Sequence, residues 1–205
     1  MTTPMPIYTA FAGHALLAAG PLAEVALAAR RAADGDAGAA VFIYEDATGR
    51  AIDVDTRGTD AEIVARLPLP LPLPTPVEPE AEPEGSPARP RGRGRPRLGV
   101  VAREVTLLPR HWDWLAGQPG GASVALRKLV EQARREHAGA DALRRGRDAA
   151  YTFMSAAAGN LPGFEEAVRA LYAGDAERLA AHMAGWPADV RAYALRLAGA
   201  ADLPA

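Results

Sequence analysis

Three patterns in the sequence predict an α+β fold. The N-terminal third is rich in short β-branched and aromatic runs, the middle is dense in proline, and the C-terminal half repeats apolar residues at helical spacing. Together they predict a small N-terminal α/β module of order ββαββα, a Pro-rich linker, and a mostly helical C-terminal domain that opens with one strand. The expected boundaries are 1–67 for the module and 68–97 for a Pro/Glu-rich linker ending in an Arg/Gly/Pro hook. A strand-helix-helix unit at 98–137 and a helical region at 138–205 complete the chain.

Within the module, Tyr8 to Ala12 and Ala15 to Ala18 flank Gly13-His14 as two short strands. Pro21 opens a helix in which Leu22, Val25, Ala26 and Ala29 form an i, i+3, i+4, i+7 stripe, and Asp34-Gly35 ends it. Ala40 to Glu45 reads as a strand, Asp46 to Gly49 as a hairpin loop, and Arg50 to Asp55 as the returning strand. Thr59 and Glu62 have capping-box spacing for a last helix through Leu67. Asp46, Asp53 and Asp55 read as solvent-facing acids rather than metal ligands, and His14 has no partner at ligand spacing.

Half of the 18 prolines fall between residues 68 and 90, starting with Pro68-Leu-Pro-Leu-Pro-Leu-Pro74. Such a run favours polyproline II at roughly 3.1 Å per residue, a semi-rigid spacer. Charge is blocked beside it: Glu78, Glu80, Glu82 and Glu84 precede Arg89, Arg91, Arg93, Arg95 and Arg97. The acidic block reads as a solvated linker or as an intramolecular competitor for the arginines.

In the C-terminal half, Val100 to Leu108 reads as a strand and Pro109 to Leu115 as a helix with Leu108, Trp112 and Leu115 on one side. Trp114 is expected to be partly exposed. After Gln118-Pro-Gly-Gly121, Ala122 to His137 is a second amphipathic helix, with Leu126, Leu129, Val130 and Ala133 inward. Further helices are expected near 141–158, 162–173, 175–184 and 187–199, separated by Gly159-Asn160, Gly174-Asp175 and Gly185-Trp-Pro187.

The residues Arg91-Gly-Arg-Gly-Arg-Pro-Arg97 carry the functional signal. Arg93-Gly94-Arg95-Pro96 is the core sequence of an AT-hook. Glycine, lacking Cβ, lets the backbone press into a narrow groove, and proline keeps the chain extended. The guanidinium groups then meet the strong negative potential of an A·T-rich minor groove. The same residues read otherwise as an Arg-rich linker, in a chain with 22 Arg and only Lys128 beside them.

The order strand, Pro-opened helix, glycine turn and basic helix over residues 100–136 resembles a ribbon-helix-helix DNA-binding unit. That resemblance implies a strand ribbon formed by two chains in the major groove, and hence a homodimer. It also implies a phosphate at the N-terminus of the second helix, near Gly121, Ala122, Ser123 and Arg127. If Leu108 points inward, Arg103, Val105 and Leu107 point out, and Arg103 alone could hydrogen-bond a base edge or a phosphate. The opposite phase buries Val105 and Leu107 and turns Glu104 and Thr106 outward. The alternative to the resemblance is a strand and two helices that belong to one α+β core, with the hook as the only DNA contact.

The runs Gly94 to Trp112, Gly120 to Val130 and Leu161 to Glu166 resemble the bacterial domain of unknown function 2239 family, which has no assigned activity. Arg91 to Arg97 fits that family pattern.

Other classes find less support. There is no cysteine, no Gly-x-Ser-x-Gly, no phosphate loop and no His-Glu-x-x-His, so neither an enzyme nor a cofactor or metal is expected. Residues 1 to 6 lack a charged segment before a long apolar run, and no stretch approaches 18 apolar residues, so a cytoplasmic protein without a membrane partner is expected. The expected function is DNA binding of regulatory or nucleoid-associated type, through Arg91, Arg93, Gly94, Arg95, Pro96, Arg97, Arg103, Ser123 and Arg127. The alternative is a non-catalytic protein-interaction adaptor using Trp114, Tyr172, Trp186 and Tyr193.

Overall fold

The computed structural model describes residues 7–35, 40–68 and 103–200. They fall into two compact units. Residues up to 67 and those from 133 onward form one, and residues between 68 and 132 belong to the other.

The first unit opens with β1 (Tyr8–Ala12) and β2 (Ala15–Gly20), joined by a turn in which Gly13 takes φ +56°. Helix α1 (Leu22–Gly35) follows, then β3 (Val41–Glu45), β4 (Arg50–Ile52) and α2 (Asp60–Arg66). The order ββαββα is the one expected. The strands form one antiparallel sheet in the order β2-β1-β3-β4, with Ala10 opposite both Ala18 and Ile43. β4 ends at Ile52, short of the expected Asp55. Thr59 caps α2 as its spacing predicts: the Glu62 amide donates to Thr59 Oγ1, and the Thr59 amide donates to Glu62 Oε2 at 2.7 Å.

The central strands β1 and β3 carry buried residues on both faces of this sheet. Ala10 and Ile43 pack with Val25 and Ala29 of α1 on one face. Phe11 and Tyr44, one position out of phase with them, join the C-terminal core on the other. That core belongs to α4 (Gly121–Ala158), α5 (Phe164–Ala173), α6 (Ala176–His182) and α7 (Ala188–Leu197). Phe153 lies 5.5 Å from Phe11, 4.9 Å from Tyr44 and 4.5 Å from Tyr193 between ring centroids, in tilted and edge-on contacts. The two regions assigned to separate modules by sequence, 1–67 and 138–205, therefore share one core.

Gly49 shows how closely they meet. It has φ +67°, and a Cβ there would stand 1.9 Å from the carbonyl oxygen of Ala149 in α4. Only glycine fits the conformation and the space.

Helix α3 (Pro109–Ala116) lies in the second unit. Residues 103–108, expected as the end of a strand, are in none. A strand needs a partner ladder, and no described residue offers one to this segment. Pro109 at the first helical position holds Leu108 extended (φ −67°, ψ 150°). The expected inward stripe is also corrected: Leu108, Trp112, Leu129 and Val130 are exposed, while Leu115 and Ala125 are buried.

The two helices expected at 122–137 and 141–158 are one. Gly139 lacks the positive φ that ends a helix at Gly174 (φ +73°), and a glycine inside a helix costs only about 1 kcal/mol relative to alanine. Gly146 has a packing reason to be small, since a Cβ there would lie 2.7 Å from the carbonyl oxygen of Leu197. The breaks after α4, α5 and α6 fall where the glycines and Pro187 place them.

Candidate functional site

Arg91, Arg93, Gly94, Arg95, Pro96 and Arg97 lie outside the described residues. The other expected DNA contacts belong to the second unit. Arg103 is exposed on the segment before α3. The turn into α4 uses two left-handed glycines, Gly120 (φ +89°) and Gly121 (φ +74°). The Gly121 amide donates to the Gln118 carbonyl at 2.9 Å, so one of the groups expected to hold a phosphate is already engaged. Arg127 Nε donates to the Ser123 carbonyl at 3.0 Å, which lays the guanidinium along the first turns of its own helix. Ser123 and Arg127 are both exposed.

Charge is divided unevenly along the sequence. Residues 89–147 hold 14 Lys and Arg against five Asp and Glu, while the remainder holds nine against 20. On α4 the pairs Arg127-Lys128, Arg134-Arg135 and Arg144-Arg145 are exposed. Arg144 is bonded to Asp141 at 2.8 Å.

Among the described residues, the most organised polar cluster lies in the first unit and centres on Asp46. Thr9 Oγ1 and the Tyr193 phenol donate to Asp46 Oδ1 at 2.8 and 2.9 Å. Arg196 donates to Asp46 Oδ2 at 2.8 Å and to Thr9 Oγ1 at 3.2 Å. The Arg196 guanidinium also sits 4.8 Å from the centroid of the Tyr193 ring. Burial, then the Asp46 charge and hydrogen bond, push the Tyr193 phenol well above its ordinary pKa; Thr9 and Arg196 oppose the shift.

Sequence reading assigned Asp46 to solvent; its side chain is only 12% exposed, because Thr9 and α7 close over the loop between β3 and β4. Its partners lie 37, 147 and 150 residues away, beyond any local pattern.

Trp186 and Tyr193, expected on the surface, are core residues at 5% and 4% exposure. The Trp186 indole donates to the Pro162 carbonyl at 2.8 Å, which satisfies its polar atom in the interior. Trp114 and Tyr172 are exposed. Among the described residues no group of three or more His, Asp or Glu is arranged to hold a metal ion, and no helix is long and apolar enough to cross a membrane.

Fold and site together define an α+β protein in which an antiparallel sheet is held between a helix and a helical bundle. A family model described as an uncharacterized protein conserved in bacteria (DUF2239) matches residues 7–198, and the chain belongs to that family. No curated protein and no solved structure matches it.

Proposed function

We propose that this protein binds DNA, with Arg91 to Arg97 laid in an A·T-rich minor groove. The observation that carries the reading is the segregation of charge: 14 cationic against five acidic side chains between residues 89 and 147, in a chain of net charge −2. A polyanion attracts such a segment even when the whole molecule is slightly acidic. Arg93, Gly94, Arg95 and Pro96 supply the groove contact, and Arg91, Arg97 and Arg103 add contacts to phosphates. The basic pairs of α4 are exposed as well.

Dimerisation accompanies this function in our reading. Val105, Leu108, Trp112, Trp114, Leu129 and Val130 are all exposed within 26 residues of the second unit. That concentration of apolar area is typical of a surface that another chain covers. The regulatory or nucleoid-associated role rests on the A·T preference, which would confine the protein to A·T-rich segments.

Fluorescence anisotropy with an A·T-rich duplex tests the proposal. Arg93→Ala/Arg95→Ala is expected to lose most of the affinity while its circular dichroism stays that of the parent. Equal binding by both proteins would remove the hook from the mechanism. Absence of binding by the parent at low salt would favour the adaptor reading, supported by exposed Trp114 and Tyr172.

A further inference from the structure

A cavity of about 480 Å³ opens to solvent in the first unit, beside the network around Asp46. Its apolar wall is formed by Ile7, Leu16, Ala19 and Ala192, with Asp189 and Arg196 among the other lining residues. Ile7 and Leu16 are 48% and 47% exposed.

The two charged residues are in different states. Asp189 accepts from the Leu16 amide through Oδ2 at 2.8 Å, and among the described residues no cation pairs with it. Oδ1 is left for an incoming donor. Arg196 is clamped by Asp46, Thr9 and the Tyr193 ring, so its position is set before any ligand arrives. A guanidinium has five N–H donors, and the contacts to Asp46 and Thr9 leave others for an acceptor.

Spacing fixes the length of what fits. Asp189 and Arg196 stand seven residues apart on α7, about 10 Å along the helix. Leu16 and Ala19, which flank the cavity on β2, are also about 10 Å apart along the strand. An extended chain of three residues spans about the same distance.

We propose that this cavity binds a short apolar peptide of about three residues with both termini free. Its ammonium group meets Asp189, its side chains cover Leu16 and Ala192, and its carboxylate meets Arg196. The site is independent of the DNA-binding reading.

The test is calorimetric titration of the full chain with Ala-Leu-Ala, its N-acetyl derivative and its C-terminal amide. The free peptide is expected to bind, and each cap to weaken binding by at least about tenfold, the effect of one charge-assisted contact. Asp189→Asn keeps an acceptor for the Leu16 amide and is expected to bind free and acetylated peptides alike. Ala192→Leu, which fills the exposed wall without touching the core, is expected to weaken all three. No heat with Ala-Leu-Ala at millimolar concentration overturns the proposal, as does undiminished preference for the free N-terminus in Asp189→Asn.

Discussion

The Tyr193 phenol donates to Asp46 Oδ1 at 2.9 Å, tying α7 to the loop between β3 and β4 across 147 positions of sequence. The bond joins a buried ring to a carboxylate that also holds Thr9 and Arg196, so four side chains from two elements and one loop depend on one another. Tyr193→Phe keeps the ring contacts with Phe11 and Phe153 and removes only the hydroxyl. Loss of a hydrogen bond to a charged acceptor is expected to cost about 1.5–3 kcal/mol in urea unfolding. A cost below about 0.5 kcal/mol, the range of ordinary surface changes, would mean that the bond contributes nothing.

The same phenol predicts a response to alkali. Its pKa in the folded chain is raised above the unfolded value near 10. The neutral form therefore stabilises fully below pH 10, and this contribution is lost as pH rises through the folded value. The stability gap between the parent and Tyr193→Phe should be flat below pH 10 and shrink above it. A gap that widens with alkali would contradict the assignment.

Shared burial predicts that the N-terminal region cannot fold by itself. Phe11 and Tyr44 are 1% and 4% exposed only because Phe153 and Tyr193 cover them. A fragment of residues 1–67 should show no cooperative thermal transition by circular dichroism, whereas a sharp transition would restore the two-module picture. In the full chain, Phe153→Ala should cost about 3–5 kcal/mol, as a buried aromatic deletion does.

Gly49→Ala tests the closest approach. The positive φ and the overlap with the Ala149 carbonyl require either the loop or α4 to move. The expected loss is more than about 3 kcal/mol, against about 1–2 kcal/mol for a left-handed glycine replaced in open space. Gly13→Ala, with φ +56° and nothing near its Cβ position, is the control.

How much of this was legible varies with the range of the interaction. The order ββαββα followed from local signals: β-branched runs, turn glycines, and the Thr59–Glu62 capping box. The helix ends at Gly174 and before Pro187 were legible for the same reason. The second buried face of the sheet left a weaker trace. Tyr8 to Ala12 and Val41 to Tyr44 carry no charge on either alternating face, as strands covered on both sides do. Composition alone could not show whether residues 103–108 have a strand partner. Nor could helical periodicity separate Leu115, which is buried, from Trp112 one turn earlier, which is not. The network of Asp46 was hidden because all its partners are remote.

The central claim is that the arginine-rich segment reads the A·T minor groove, and the salt dependence of binding tests it most directly. Anisotropy titrations of A·T-rich and G·C-rich duplexes should give tighter binding to the former. The slope of log K against log salt should lose about 0.9 for each phosphate charge that a bound guanidinium no longer neutralises, so by up to about 2 when both groove arginines go in Arg93→Ala/Arg95→Ala. Equal affinity for both duplexes, with the same slope in parent and variant, would contradict the account and leave Arg91 to Arg97 as a solvated connection.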